Sequence, residues 1–377
     1  MAGEDHLKFM KRCLELASKA EGLTYPNPLV GSVIVHEGKI IGEGYHMKAG
    51  SRHAEVVAIE SVSDRSLLGS STLYVNLEPC SHYGKTPPCA DRIIAEGIPV
   101  VVAGATDTSA KVSGKGFARL REAGCRVITG IANDECRFIN RRFFTVNEKK
   151  RPFIVLKWAQ SADGFIGRDR EKRMTDGPLW ITGSSERILV HKWRATEQAI
   201  LVGGETVRAD NPKLNVREWT GTSPIRLILT GSGDLPSDLA MNDLIGPQVI
   251  FTFFPDKVNM PGSVVVKLNK NEPSALQVID YLHKWGIQSL FIEGGGAVLN
   301  HFISLGLWDE ARIFHGYEVL TSGVKAPSIG GKMIQKQEFS SSRLEIFLRD
   351  EGENSVNHQL VRSLQSSSDH LSNPGRC

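Results

Sequence analysis

The sequence predicts an α/β protein with two domains. Short apolar segments typical of buried strands alternate with segments of helical periodicity, which is the pattern of a sheet covered by helices on both faces. The series begins again after Pro152, where apolar residues 153–158 follow a basic cluster at 149–151. The chain has 377 residues, 41% hydrophobic and 23% charged, which suits two folded domains of ordinary size. We expect a first domain at 1–147, a linker at 148–152, a second domain at 153–362 and a disordered polar tail at 363–377.

The first domain opens with a pattern that predicts a helix at residues 7–20. Apolar residues 31–35 and 39–41 flank the turn residues Glu37 and Gly38, which predicts a β-hairpin. The remaining patterns predict strands at 72–77, 100–103 and 126–129, a helix at 116–123 and a closing helical segment at 130–147, where Phe138, Phe143 and Phe144 recur at helical spacing.

The second domain repeats this alternation of strands and helices. Its patterns predict strands at 153–158, 199–202, 225–229, 249–253, 264–266, 289–292 and 311–314, with helices at 184–193, 274–285 and 297–304. The charged segment at 168–173 is interpreted as a solvated loop, and a flexible lid is the alternative.

A set of potential metal ligands lies in the first domain. His53 is closely followed by Glu55, and Cys80 and Cys89 come later. One imidazole and two thiolates suit zinc, and three protein ligands leave the fourth position of a catalytic zinc to water. Glu55 can carry a proton from that water to a leaving amine. The pattern indicates a zinc deaminase, although eight residues separate the cysteines where such enzymes usually have two.

The positions of these residues at predicted helix starts support the site. Cys89 opens the helical pattern at 89–96, and a helix N-terminus lowers the pKa of a thiol. His53 and Glu55 are two positions apart, so they can serve one metal only where the helix begins. A redox pair, unrelated core residues and part of a structural zinc site are the alternatives that these residues alone leave open.

The overall composition excludes several classes of protein. Six cysteines are too sparse for a disulfide framework, and no run of eighteen apolar residues predicts a membrane span. The net charge of +3 is close to balanced, and the only basic cluster, 149–151, falls at the predicted linker, so we expect no nucleic-acid partner. The acidic first residues do not resemble a targeting segment, and we expect a cytoplasmic protein without membrane association.

Residues 78–90 (EPCSHYGKTPPCA) closely resemble the cysteine loop of the pyrimidine deaminases of riboflavin biosynthesis. Residues 26–31 and 42–46 resemble the opening strands of the same family. The resemblance implies a cytidine-deaminase-like α/β/α domain with a mixed five-stranded sheet, one zinc ion per chain and a phosphoribosylaminopyrimidine substrate. It implies substrate contacts from Asn27, His82, Lys85 and Asp107. Ser109 stands where the family has asparagine, from which we expect altered substrate affinity with the chemistry retained.

A glycine loop follows one predicted strand of the second domain. Strand 289–292 leads into Glu293, three glycines at 294–296 and a predicted helix. Glycines let backbone amides approach an anion, and the helix N-terminus favours negative charge, so the loop can hold a phosphate. A tight turn is the alternative that this motif alone leaves open. The fingerprint G-x-G-x-x-G followed by a distant acid is absent, which argues against a Rossmann domain.

Residues 202–217 resemble the reductase half of the same riboflavin enzymes, as do 156–164, 179–182 and 193–195. The resemblance implies a dihydrofolate-reductase-like α/β domain that binds NADPH. By position, the cofactor would contact Gln160, Trp180, Thr206, Asp210, Gly294, Gly295, Gly296, Ala297, Val298 and Leu299. The substrate would contact Lys157, Arg194, Leu214, Arg217 and Glu293. Of these, the two arginines could together bind a ribose 5-phosphate.

The resemblance, taken with the motifs, predicts a bifunctional enzyme of riboflavin biosynthesis. The first domain would hydrolytically deaminate a phosphoribosylamino-diaminopyrimidinone, and the second would reduce the ribosyl group of the resulting uracil to ribityl with NADPH. A monofunctional deaminase with a non-catalytic nucleotide-binding second domain, a nucleoside or tRNA deaminase, and a zinc-stabilised scaffold are the alternatives. By family analogy, we expect a homo-oligomer.

Overall fold

The structure is a computed structural model that describes residues 3–83, 87–109, 112–169 and 179–350. The chain divides into two compact units between Lys150 and Arg151, within the segment 148–152. The outer limits of the predicted domains stay predictions. Across the described ranges, no helix has the length and apolar character needed to span a membrane.

The first unit is built on one mixed sheet. Its elements are α1 (Gly3–Ser18), β1 (Gly31–His36), β2 (Lys39–Tyr45), α2 (Ala54–Glu60), β3 (Thr72–Leu77), α3 (Cys89–Ala95), β4 (Val100–Ala105), α4 (Lys115–Glu122), β5 (Arg126–Ile128), α5 (Asn133–Ile139) and α6 (Arg141–Lys149). The strand order is β2-β1-β3-β4-β5. β1 pairs antiparallel with β2 and β3, whereas β3, β4 and β5 are parallel.

Helices cover both faces of this sheet. Ile34 of β1 points to the face on which α2 and α3 contribute Ile59 and Ile93. Its neighbour Val33 points to the other face, where α1 contributes Phe9 and α6 contributes Phe144. Successive strand residues face opposite sides of a sheet, so the apolar run of β1 fills two cores at once. The predicted α/β/α arrangement is confirmed.

The second unit is built on a larger sheet. Its elements are β6 (Phe153–Gln160), β7 (Phe165–Gly167), α7 (Ser184–Thr196), β8 (Ala199–Gly203), α8 (Gly204–Asp210), β9 (Ile225–Thr230), β10 (Gln248–Thr252), β11 (Val264–Lys267), α9 (Ser274–Lys284), β12 (Ser289–Ile292), α10 (Gly296–Ser304), β13 (Glu310–Gly316), β14 (Val324–Lys325), β15 (Lys332–Glu338) and β16 (Ser342–Leu348).

The large sheet has the order β11-β10-β9-β8-β12-β6-β13-β16-β15. The strands from β11 to β13 are parallel, and β16 and β15 extend the sheet antiparallel beyond β13. The parallel strands β8, β10 and β12 are buried along their whole length, whereas the edge strand β11 is largely exposed. β7 and β14 form a separate two-stranded ribbon.

The structure differs from the predicted elements at several points. The segment 130–147 forms two helices, because Asn140 between them turns its amide to the backbone N–H and C=O of Leu29. The short helix α8 and the strands β7, β14, β15 and β16 were not predicted. β15 has the sequence KMIQKQE and is partly exposed, so it shows no apolar run. Residues 170–173 of the charged segment and the tail at 363–377 lie outside the described residues.

Candidate active sites

The functional residues of the first unit meet at one edge of its sheet. β3 and β4 run parallel, so Cys80 and Asp107, which follow them, lie at the same edge. β1 runs antiparallel to β3, so residues 26–30, which precede it, lie there too. This edge encloses a cavity of about 250 Å³ that these segments line together with His53 and Glu55.

His53, Cys80 and Cys89 form a metal-ligand set. The Nδ1 atom of His53 lies 3.2 Å from the Sγ of Cys89 and 3.5 Å from the Sγ of Cys80. With bond lengths of about 2.0 to 2.3 Å, ligand atoms around a tetrahedral zinc are themselves about 3.5 Å apart. The three donors therefore fit one zinc ion, and three is the number of protein ligands in a catalytic zinc site.

Both ligand-bearing helices begin where the sequence predicted. His53 is the N-cap of α2, with extended backbone angles (φ −70°, ψ 157°), and Glu55 lies in the first turn. Because His53 stands outside the helix, the spacing of two residues still lets both side chains line the cavity. α3 begins at Cys89, which places a helix N-terminus next to the ligand.

The hydrogen bonds among these groups favour a thiolate. A hydrogen bond with Cys89, supported by one with His53, lowers the pKa of Cys80 to about 4. The hydrogen bond with Cys80 raises the pKa of His53 to about 9, and it also raises the pKa of Cys89. Burial raises the pKa of Glu55, which favours proton uptake by this carboxylate. Cys80 is thus ready to bind zinc as a thiolate, whereas His53 and Cys89 give up their protons when zinc binds, and Glu55 is the acid able to take up a proton.

Asn27 is oriented by His46. The Nδ1 atom of His46 lies 3.1 Å from the carbonyl oxygen of Arg52, so Nδ1 carries the proton and donates it. Burial lowers the pKa of His46, which favours the neutral ring and leaves Nε2 as an acceptor. The Asn27 amide nitrogen lies 3.1 Å from that Nε2 and donates to it. The Asn27 oxygen is thus the atom able to accept a hydrogen bond from a substrate N–H.

The other predicted contacts of the deaminase substrate lie in the same cavity. His82, Asp107 and Ser109 line it together with Asn27. The Asp107 carboxylate accepts a hydrogen bond of 2.6 Å from the backbone N–H of Ser109, and burial raises the pKa of Asp107. Lys85 lies outside the described residues.

The second unit has a cavity of about 270 Å³ at the carboxyl ends of neighbouring parallel strands. β8, β12 and β6 are adjacent in the sheet. Thr206 follows β8, and Glu293 and the glycine loop follow β12, while Lys157 lies in the second half of β6. All of these residues line the cavity. Open α/β sheets bind ligands outside the carboxyl ends of their strands, which is where this cavity lies.

Charged side chains form the base of the second cavity. Arg194 of α7 and Glu293 form a bidentate ion pair that is almost completely buried. Lys157 lies near both: burial lowers its pKa, while Glu293 opposes the shift and Arg194 adds to it. Nearby, burial and then Arg194 and Arg217 lower the pKa of His191 to about 4. The cavity therefore offers one paired carboxylate among several basic groups.

The joint binding of a phosphate by Arg194 and Arg217 stays a prediction, and in the structure Arg194 is paired with Glu293. All three side-chain nitrogen atoms of Arg194 bind Glu293 or the carbonyl oxygen of Asn215. Arg217 lines the same cavity, and its side chain is 41% exposed. The sequence does not show that Glu293, 99 residues away, pairs with Arg194.

Most of the predicted cofactor contacts line the second cavity, and a few do not. Trp180, Thr206, Asp210, Gly294, Gly295, Gly296 and Leu299 line it. Gln160, Ala297, Val298 and the predicted substrate contact Leu214 are not among the described lining residues. Gln160 binds the indole N–H of Trp158 and the ring of His315, and Leu214 is buried in the core. Positive φ angles at Gly294 (148°) and Gly295 (72°) explain why the loop needs glycine.

Several lining residues were not predicted. Arg187 and His191 line the second cavity on the same helix as Arg194. Residues 187, 190, 191 and 194 follow the spacing of one helix face, and this signal could have identified them. In the first unit, His46 lies in the segment 42–46, which resembles an opening strand of the family. Nothing in the sequence indicates that His46 pairs with Asn27.

Comparisons with known proteins match both units. Residues 3–105 match the model for the cytidine and deoxycytidylate deaminase zinc-binding region, and residues 152–347 match the model for the RibD C-terminal domain. The riboflavin biosynthesis protein RibD of Aquifex aeolicus is 37% identical over 346 residues, which is 89% of this chain and 94% of that protein. The chain belongs to the RibD family. As a RibD, it has a zinc-dependent deaminase domain and an NADPH-dependent reductase domain, and the predicted cofactors are confirmed.

Further RibD proteins are similar over most of their length. The RibD of Escherichia coli is 33% identical over 84% of this chain and 89% of that protein. The solved deaminase/reductase of Thermotoga maritima is 34% identical with a TM-score of 0.83, covering 92% of this chain and 99% of that one. Acinetobacter baumannii RibD is 29% identical with a TM-score of 0.83, covering 93% and 100%. These similarities confirm the fold class and the identification of the RibD family.

Proposed function

We propose that the first cavity deaminates a diaminopyrimidinone that carries a phosphoribosylamino group. The observation that carries the proposal is the buried acid Glu55, which lines one cavity with His53 and Cys80. The third donor, Cys89, lies within metal-binding distance of both ligands. The solved T. maritima relative is named as a diaminohydroxyphosphoribosylaminopyrimidine deaminase and 5-amino-6-(5-phosphoribosylamino)uracil reductase. Bound zinc would supply a water activated at neutral pH.

The residues around the zinc ligands would bind the base and move the proton. Glu55 takes up the proton from water and passes it to the leaving ammonia, a role suited to a carboxyl group whose pKa burial raises. Asn27 would accept a hydrogen bond from an N–H of the pyrimidine, because His46 already binds its amide nitrogen. His82, Lys85 and Asp107 would contact the phosphoribosylamino part, with Ser109 beside Asp107.

The second cavity would reduce the ribosyl group of the deaminated product to ribityl. NADPH would supply the hydride. Trp180, Thr206, Asp210 and the glycine loop 294–296 would hold the cofactor at the carboxyl ends of β8 and β12. Lys157 and Glu293 would contact the opened ribose, and Arg217 would meet the phosphate, while Arg194 holds Glu293 in place.

A two-stage assay on zinc-loaded protein tests both reactions. The diaminopyrimidinone substrate is added first, and ammonia release is measured; NADPH is then added, and its oxidation is followed. Both signals are expected. Ammonia release without NADPH oxidation would support the monofunctional alternative, in which the second unit only binds nucleotide. Cytidine and tRNA serve as control substrates, and deamination of either would contradict the proposed substrate.

The remaining predictions concern partners and location. We propose that the protein acts on small molecules, does not bind nucleic acid, forms a homo-oligomer and works in the cytoplasm. The family membership supports the first statement. Light scattering of the purified protein tests the oligomer, a gel-shift assay with tRNA tests nucleic-acid binding, and fractionation tests the location.

A further inference from the structure

Glu78 has a buried carboxylate that the proposed mechanism does not use. It follows β3, two residues before the zinc ligand Cys80, and is 4% exposed. Its Oε2 accepts hydrogen bonds from the backbone N–H groups of Asp107 (3.2 Å) and Gly114 (3.0 Å). Its Oε1 accepts from Gly116 (2.9 Å) and Phe117 (3.4 Å). One side chain thus binds four backbone donors between residues 107 and 117.

These four donors belong to the wall of the deaminase cavity. Asp107, Ser109 and Val112, which precede α4, line the cavity together with His53 and Cys80. A carboxylate offers two oxygen atoms with about four acceptor sites, and here each oxygen receives two N–H groups. Glutamine offers one oxygen, so it could satisfy only half of these donors.

A second contact joins the same two segments. A methyl group added at Gly116 would lie far inside van der Waals distance of the carbonyl oxygen of Pro79. The first turn of α4 therefore packs directly on the backbone between Glu78 and Cys80. This close approach lies beside the hydrogen bond from the Gly116 N–H to Glu78, and both contacts fix α4 against the zinc-ligand segment.

The zinc ligand Cys80 is held by hydrogen bonds that do not involve Glu78. The carbonyl oxygen of Cys80 accepts a hydrogen bond of 3.1 Å from the backbone N–H of Ala90, and its Sγ lies 3.3 Å from the N–H of Cys89. The N-terminus of α3 thus holds Cys80, while Glu78 holds the part of the cavity wall that begins at Asp107. A change at Glu78 should move the wall and leave the ligands in place.

We propose that Glu78 is a positioning residue for substrate binding in the deaminase site. It acts through the backbone N–H groups of Asp107, Gly114, Gly116 and Phe117. These bonds set where Asp107 lies relative to the zinc ligands. The inference rests on the proposed deaminase function. Glu78 affects substrate affinity, whereas Glu55 moves the proton in the reaction at the zinc site.

Steady-state deamination kinetics of the full-length, zinc-loaded protein test this assignment. Glu78→Gln removes acceptors for the backbone N–H groups, and Gly116→Ala forces the first turn of α4 away from Pro79 and Glu78. For both, we expect KM to rise about tenfold or more, kcat to stay within about threefold, and one zinc per chain to be retained. The matched controls are Asp64→Asn, an exposed acid that accepts a backbone hydrogen bond from Ser66, and Gly69→Ala, a glycine with open space around it. Both controls should keep the KM of the unchanged protein.

The outcomes separate this inference from the proposed function. An unchanged KM in both variants would overturn it, and so would a fall in kcat that follows zinc loss, because Glu78 would then act on the ligands. If Glu78→Gln does not fold, the KM of Gly116→Ala decides alone. No ammonia release from the unchanged protein would overturn the proposed function, and the inference with it.

Discussion

Arg194 and Glu293 form two parallel hydrogen bonds inside the second unit. The Nε atom of Arg194 lies 2.8 Å from Oε1 of Glu293, and Nη2 lies 2.6 Å from Oε2. Their side chains are only 11% and 7% exposed. Such a pair holds the carboxylate at the end of β12, next to the glycine loop and to Lys157, with its orientation set by the planar guanidinium.

Glu293→Gln is expected to destabilise the second unit and to abolish reduction. The substitution leaves Arg194 and Lys157 buried without their counter-charge, and removing one partner of a buried pair costs about 3 to 5 kcal/mol. Urea unfolding and NADPH oxidation on the deaminated product measure the two effects. Asp280→Asn breaks the exposed pair with Lys284 and should cost about 1 kcal/mol or less. An equal loss of unfolding free energy in the two variants would contradict a stabilising role for the Arg194–Glu293 pair.

Glu55→Gln is expected to stop deamination while zinc stays bound. Glu55 is not one of the three ligands, so metal content measured by atomic emission should remain at one per chain. Loss of proton transfer should lower kcat by about 10²- to 10⁴-fold. Glu60→Gln on the same helix removes an acid that pairs with Arg52 at the surface, and it should keep full activity. A Glu55→Gln protein that retains deamination would assign the proton transfer to another group.

Local patterns predicted the zinc site because its determinants are local. His53 and Glu55 lie at the start of one helix, and Cys89 opens another. Helix periodicity therefore gives the position of each residue within its own helix. The strands β3 and β12 were predicted with the bounds they have in the structure, because each is a short apolar run ending in turn residues. Because β3 and β4 pair in parallel, the residues that follow both strands lie at the same edge of the sheet, which is where the site lies.

The contacts that orient the site residues could not be read from the sequence. Arg194 meets Glu293 across 99 residues, and the Glu78 carboxylate reaches N–H groups 29 to 39 residues further on. Such pairings depend on which elements become neighbours in the fold, and neither residue type nor spacing encodes that. Gln160 shows the reverse case, since its position suggested a cofactor contact but its amide binds Trp158 and His315.

Cys89→Ser is expected to weaken zinc binding and abolish deamination. A hydroxyl is a poor substitute for a thiolate, and the loss of affinity should exceed the about 10- to 100-fold that changes to outer hydrogen-bond partners cause. Competition with a chromophoric chelator measures zinc affinity. Cys125→Ser is the matched control, because Cys125 is a buried thiol that donates to the carbonyl oxygen of Ile98, as serine also can. Equal zinc affinities in the two variants would argue against Cys89 as a ligand.

His191 should make the stability of the second unit depend on pH. Burial, with Arg194 and Arg217 nearby, lowers the pKa of His191 from 6.5 to about 4, while Glu218 and Glu293 oppose the shift. The unfolded chain therefore binds this proton before the folded one does, so its contribution to stability is complete above pH 6.5 and is lost as the pH falls towards 4.

The variant His191→Gln tests this dependence, because it removes the titrating group and keeps a polar side chain. Thermal unfolding midpoints between pH 7 and about 4 should fall less steeply for this variant than for the unchanged protein, although carboxylates titrate in both. Parallel curves for His191→Gln and the unchanged protein would show that His191 takes up its proton equally in both states.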